Sequence, residues 1–167
     1  MATHENAEEA FAGESQANRK YAAFSKKAAE EGFGNIATLL KAVSEAEAIH
    51  AKSLLAVLAE VRPTAQNLEA SIEGETHESV EMYPAYIKNA KEEKKTEAVQ
   101  LFTYAAKAEA VHAGLYKTAL DAVKAGHDLA DEKVYLCPIC GHIALGKPPL
   151  RCPICSVFGK QYCEIVL

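Results

Sequence analysis

The strongest constraint on this chain is a hexapeptide that occurs twice. Ala46-Glu47-Ala48-Ile49-His50-Ala51 returns 62 residues later as Ala108-Glu109-Ala110-Val111-His112-Ala113, altered by one methylene. Each copy lies inside an apolar stripe of helical period. Steps of three and four give Ile36, Leu40, Val43, Glu47, His50, Leu54, Val57, Val61 in the first, and Val99, Phe102, Ala105, Glu109, His112, Tyr116, Ala119, Val123 in the second. Residues three apart on a helix are surface neighbours, about 5–6 Å between Cβ atoms, so each Glu/His pair can converge on one point. A carboxylate in a dry core costs several kcal/mol unless something compensates it, and a bound cation accounts for both violations at once.

Two further stripes carry carboxylates. Glu14 falls between Phe11 and Tyr21, and Glu75 and Glu78 interrupt Leu68, Ile72, Met82, Tyr86. One Glu from each of two helices, with Glu-x-x-His from each of the other two, is the ligand set of a dinuclear carboxylate centre in a four-helix bundle. Gly13-Glu14 and Gly74-Glu75 extend the repeat. The pattern reads as a duplicated helix pair with two metals on its pseudo-twofold axis.

Helices are expected over 5–31, 35–61, 65–90 and 96–124, with stops at Gly32-Phe33-Gly34, Pro63 and Gly126, and with Asn35 and Thr64 as caps. Pro84 lies inside the third and removes a backbone donor within two turns of Glu78, so a local distortion is expected there, with or without a role. The second-to-third connection is short for a ferritin-like order, in which it must run back along the bundle. A gap on the order of 30 Å, from 1.5 Å of rise per residue, faces a few extended residues that span about 14 Å. An up-down-up-down order, an unravelled crossover over 59–70, or exchange of helix pairs between two subunits would each resolve this. Short hinges favour exchange. The swapped dimer brings Glu14, Glu47 and His50 of one chain to Glu75, Glu78, Glu109 and His112 of the other.

The composition changes from Val134. All five cysteines lie in the last 31 residues, four of them in Cys137-Pro-Ile-Cys140 and Cys152-Pro-Ile-Cys155. Two such knuckles close a tetrahedral thiolate site, and the spacing suits a structural zinc or a single redox iron equally. A segment this short cannot fold on an apolar core alone, so the metal belongs to its folding energy. Cys163 stands apart, read as a small buried hydrophobe. His4, His77, His127 and His142 fall on no ligand pattern and are expected in solvent. The domains expected are therefore a bundle over 1–130 and a four-cysteine module over 131–167. The net charge of −5 argues against nucleic acid. With no long apolar run and no leader, the chain is expected to be cytoplasmic and to need no membrane.

Both sites together resemble the rubrerythrin family over nearly the whole chain. The matching elements are Gly13-Glu14-Ser15, Arg19-Lys20-Tyr21, Glu47-x-x-His50, Glu73-Gly74-Glu75-x-x-Glu78, Glu81-Met82-Tyr83-Pro84, Glu109-x-x-His112, and the rubredoxin-like cysteine pairs. The resemblance implies an all-α four-helix ferritin-like bundle with a small C-terminal metal-bound β/loop domain, a di-iron centre, and one further iron on Cys137, Cys140, Cys152 and Cys155. It implies a non-haem peroxidase that reduces hydrogen peroxide to water, drawing electrons from a reductase or rubredoxin through the thiolate-bound iron and across a homodimer interface. Glu47 and Glu109 would bridge the irons, with Glu14 and His112 terminal and Glu75 a further ligand. One iron would exchange His50 for Glu78 on oxidation, since the harder ferric ion prefers carboxylate. Tyr21 and Tyr83 match tyrosines beside the site. One departure stands out: Ser156 follows Cys155 where the rubredoxin pattern usually has Gly, at a position that often needs positive φ. The competing functions are a ferroxidase or oxygen scavenger on the same di-iron site, and a metal-storage or zinc-stabilised structural protein.

Overall fold

The computed structural model describes residues 2–130 and 132–166. It divides into two compact units, 1–62 and 63–167.

The first unit is a helical hairpin. α1 (Ala2–Glu30) and α2 (Gly34–Val57) are joined by a turn in which Gly32 takes φ 86°. The pair is registered by a polar lock that periodicity alone does not reveal. Asn18 donates through Nδ2 to the Ser44 carbonyl at 2.8 Å, and Ser44 Oγ donates back to the Asn18 carbonyl at 2.8 Å. Ser44 is buried, so these bonds satisfy groups that would otherwise be left unpaired in the interface. Ser25 Oγ to the Ala37 carbonyl, 2.8 Å, repeats the same antiparallel register. That register sets Glu14, one turn before Asn18, beside Glu47, one turn after Ser44. α2 ends four residues short of the expected Val61, because Ala59 turns left-handed at φ 53° and Glu60 N–H closes onto the Leu55 carbonyl. Asn35 and Thr64 lie inside their helices, which start without side-chain caps.

The second unit contains α3 (Thr64–His77), a π-helical turn (Glu78–Met82), α4 (Tyr83–Glu92), α5 (Thr96–Lys124) and a small β domain. The distortion expected from Pro84 is this π turn. Tyr83 N–H reaches the Glu78 carbonyl five residues back, so one residue is inserted and the helix continues through Pro84 without breaking. α3 and α4 pack along α5. An aromatic cluster of Tyr83, Tyr86 and Phe102 closes that seam, with ring centroids 5.8–6.2 Å apart. α5 stops where Gly126 adopts φ 81°.

The β domain is an antiparallel three-stranded sheet ordered β2-β1-β3, from β1 (Val134–Leu136), β2 (Ile143–Leu145) and β3 (Cys163–Ile165). Its core is Cys137, Cys152 and Tyr162, with Tyr135, Ala144, Ile154 and Val157 around them. At Gly159 a side chain is impossible, since a Cβ would lie 1.9 Å from the Pro149 carbonyl oxygen. Two expectations are corrected here. Cys163 is exposed at the start of an edge strand, because the short β3 turns it outward. His142 is buried, because its ring fills the space beside Tyr162 and bonds the Tyr162 hydroxyl at 3.0 Å. Among the described residues no helix is long and apolar enough to cross a membrane.

Candidate metal centres

Six of the seven carboxylate and imidazole candidates fall into two three-residue clusters, one per unit. Glu14, Glu47 and His50 form the first, and Glu75, Glu109 and His112 the second, each with its donor atoms within 4.8 Å of one another. The two are near copies. His50 Nδ1 lies 2.8 Å from Glu47 and 3.7 Å from Glu14, and His112 Nδ1 lies 2.7 Å from Glu109 and 3.7 Å from Glu75. The duplicated hexapeptide is therefore duplicated geometry. Their surroundings differ, for His50 is exposed while His112 is half-buried.

Glu78 stands outside both clusters among the described residues. It opens the π turn, half-buried, and with Glu109 and Glu75 it acts electrostatically on Tyr83. Burial first, then those carboxylates, holds the Tyr83 hydroxyl above its ordinary pKa, so it stays protonated and able to donate a hydrogen bond. Tyr21, on α1, packs on Phe24 at 6.2 Å between ring centroids.

The charge balance of the second cluster calls for a cation. Burial, and next the adjacent Glu109, raise Glu75 to about 7. Glu14 is likewise pushed up, first by sharing a proton with Glu47. Two acids at contact distance cannot both ionise without compensation, which a metal ion supplies. Without metal, the raised value makes folding depend on pH. Between the unfolded value of 4.5 and about 7 the folded chain binds a proton at Glu75 that the unfolded chain has released, so this group's contribution weakens folding as pH rises through that window. Urea titrations of metal-free protein at pH 5 and 7 should show that loss, and Glu75→Gln should remove most of it. A pH response unchanged by Glu75→Gln would contradict this assignment.

Beside the cluster lies a cavity of about 550 Å³. Glu75, Glu109 and His112 are its polar wall, and Leu68, Leu115, Tyr116, Ile143 and Leu145 its apolar one. The β domain thus contributes to the surroundings of the α5 donors.

The thiolate site is a repeated knuckle. Cys137 N–H bonds the His142 carbonyl and Cys152 N–H the Val157 carbonyl, both at 2.8 Å. Gly141 N–H and Ser156 N–H return to the Cys137 and Cys152 carbonyls at 3.1 and 2.9 Å. Cys137 and Cys155 sulfurs are 3.6 Å apart, Cys140 and Cys152 3.4 Å. A tetrahedron with metal–sulfur bonds of about 2.3 Å has edges of about 3.8 Å, so the cage fits one ion after a small expansion. Burial opposes ionisation of Cys152. The Cys155 and Ile154 backbone N–H groups and the Tyr162 hydroxyl outweigh it and bring the thiol down to about 6. Burial holds Cys140 and Cys155 above the ordinary thiol range. A thiolate at Cys152 beside the thiols of Cys140 and Cys155 is a state that a metal would complete.

Ser156 does adopt the left-handed conformation, φ 63°, matching Gly141 at 79° in the other knuckle. That geometry costs a non-glycine residue about 1 kcal/mol, partly offset by the lower unfolded-state entropy of Ser. Ser156→Gly is expected to raise stability by less than about 1 kcal/mol, read from guanidinium-induced loss of the metal–thiolate absorption. A destabilised variant would show that the hydroxyl has a structural role.

The two kinds of centre meet at one contact. His112, bound to Glu109 through Nδ1, places Nε2 2.9 Å from the Gly141 carbonyl oxygen, one residue from Cys140. Ala108, on the same helix, lies against Gly141, where a Cβ would sit 3.9 Å from its own. Sequence reading found each partner's motif but not this contact. Nor did it find Tyr162 or His142, whose positions depend on how the sheet closes over the knuckles.

The family model for rubrerythrin matches residues 5–120. Nigerythrin from Nitratidesulfovibrio vulgaris is 41% identical over an alignment covering 92% of this chain and 81% of that protein. Rubrerythrin-2 from Clostridium acetobutylicum is 36% identical, covering 92% and 91%. Among solved structures, fully reduced, all-ferrous nigerythrin aligns with a TM-score of 0.59 at 38% identity, covering 98% of this chain and 86% of that one. The fold is accordingly the ferritin-like four-helix class with a small C-terminal β domain, and the donor sets fit two irons and one further iron on four cysteines. The chain belongs to the rubrerythrin family.

Proposed function

We propose that this protein reduces hydrogen peroxide to water at a di-iron centre supplied with electrons through its four-cysteine iron. The observation that carries the reading is the hydrogen bond from His112 to Gly141. It ties a residue of the carboxylate cluster to the chain segment of a cysteine knuckle, within one residue of Cys140. A storage or purely structural protein has no need of that link. Peroxide takes up two electrons and two protons to give two waters, and two ferrous ions supply one electron each.

The protein's own residues have the remaining roles. Glu14, Glu47, His50, Glu75, Glu109 and His112 would hold the pair, with Glu47 and Glu109 between the metals. Glu78, at the head of the π turn, is free of both clusters and would replace His50 as a ligand on oxidation. π turns concentrate at such functional positions because the inserted residue re-aims a side chain. Tyr83, kept protonated, would hydrogen-bond a carboxylate and hold it in place, with Tyr21 its weaker counterpart. The apolar wall of the cavity would admit a small uncharged oxidant and limit water.

The site is proposed to be completed by a second copy of the chain, α1 and α2 of one meeting α3 to α5 of the other. α2 ends seven residues after His50 and α3 begins eleven before Glu75. In the ferritin-like order, one chain alone would have to bridge about 27 Å at 1.5 Å per residue. Residues 58–60 are taken up by the cap turn, and the few that remain extend about 14 Å. The α1/α2 hairpin also leaves Phe24, Ile36, Leu39, Ile49 and Val57 52–66% exposed, an apolar face that a second helix pair would cover. The five free cysteines suit a reducing cytoplasm.

Steady-state rates with each oxidant test the reaction. Peroxide should be consumed much faster than dioxygen, and the reverse order would make the protein an oxygen scavenger or ferroxidase.

A further inference from the structure

The β domain has two unlike faces. The first knuckle is turned toward α5 through Gly141, Ala108 and His112. The second is turned to solvent, and its outer surface has its own composition. Leu150 is 88% exposed and Phe158 48%. The Arg151 guanidinium stacks 3.9 Å from the centre of the Phe158 ring, with Lys160 Nζ on the same ring at 6.0 Å. Arg151 also donates to the Ser156 carbonyl at 3.1 Å, so it spans the outside of the knuckle that holds Cys152 and Cys155. Among the described residues neither cation has a carboxylate partner, whereas Lys133 is paired with Glu164 at 2.9 Å. The chain as a whole is acidic, at −5, yet the segment after residue 131 has four cations and only two carboxylates.

We propose that Leu150, Arg151, Phe158 and Lys160 form the docking surface for an acidic one-electron carrier protein. Electrons then come in at the second knuckle and leave at the first, through Gly141 to His112. A small anionic reductant would use the cations alone. The exposed Leu150 and Phe158 beside them match a protein surface with an apolar centre and an acidic rim. This inference rests on the thiolate-bound iron being the point where electrons enter the molecule, as in the proposed function.

The test uses the full-length, iron-loaded protein, anaerobically and without peroxide. Bleaching of the ferric thiolate absorption is followed after mixing with a reduced, acidic plant-type ferredoxin, and separately with reduced riboflavin, a small reductant that carries at most one charge. At low ionic strength Arg151→Glu/Lys160→Glu should slow reduction by ferredoxin at least tenfold and leave the riboflavin rate unchanged. The wild-type ferredoxin rate should fall steeply with added salt. Because Arg151 braces the knuckle, Leu150→Glu/Lys160→Glu, which leaves that contact intact, provides a second reading in the same direction. Equal ferredoxin rates in wild type and Leu150→Glu/Lys160→Glu would overturn the proposal. Peroxide plays no part in these rates, so a protein that takes electrons here yet fails to consume peroxide would contradict the proposed function and leave the docking surface standing.

Discussion

Glu47→Ala and Glu109→Ala should each abolish peroxide turnover, and a mixture of the two should recover it. Glu47 belongs to the cluster on the α1/α2 hairpin and Glu109 to the cluster on α3 and α5. Loss of an orienting partner around a metal costs 10–100-fold, so loss of a shared carboxylate ligand is expected to cost at least about a hundredfold. If helix pairs are exchanged, a heterodimer of the two variants places both defects in one site and leaves the other wholly wild type. Random assembly makes about half the dimers mixed, so co-refolding should restore about a quarter of wild-type turnover. If each site were built from one chain, every site in the mixture would carry one defect and no activity would return. Wild-type helical content in both variants would show that the loss is local.

Removing the metal from the four cysteines should unfold the β domain and spare the helices. Its core is two cysteines and Tyr162, and the segment from Glu132 to Val166 is shorter than the roughly 40 residues that usually fold without a metal, disulfide or partner. Structural metals in comparable thiolate sites contribute about 10–16 kcal/mol. Against an ordinary domain stability of about 5–15 kcal/mol, little is left without the ion. Chelation under reducing conditions should collapse the NMR dispersion of residues 134–165, including the Tyr162 ring, while far-UV dichroism from the helices changes little. A metal-free protein that keeps the β1–β2 and β1–β3 pairings would show that the sheet holds itself.

These consequences follow from features of different legibility. The duplicated Glu-x-x-His is visible in the sequence because ionisable residues inside an apolar stripe violate a strong rule, and a violation at two places calls for one explanation. The cysteine knuckles are visible because their ligand spacing is local. Even the strain at Ser156 could be read, since the knuckle fixes its backbone. Contacts between elements are a different matter. Asn18 sits unremarkably on the α1 stripe, and only the antiparallel register gives it Ser44. His142 follows no ligand pattern, and it is buried because Tyr162, twenty residues on, folds over it. The π turn was half legible. Pro84 announced a distortion, but whether the helix would kink or take up an extra residue depended on packing against Phe102 and α5. The sets Glu14/Glu47/His50 and Glu75/Glu109/His112 followed from the order of the helix pairs, whereas the separation of Glu78 from the second set depends on the π turn, which sequence period leaves undetermined.

The most direct test of the electron path is the visible spectrum of the iron-loaded protein, fully reduced and then mixed with one equivalent of hydrogen peroxide. The path from knuckle to carboxylates requires the thiolate-to-iron absorption to return as peroxide is consumed, and to return far more slowly in His112→Ala. A thiolate-bound iron that stays reduced while peroxide disappears, or a colourless site holding zinc, would contradict it.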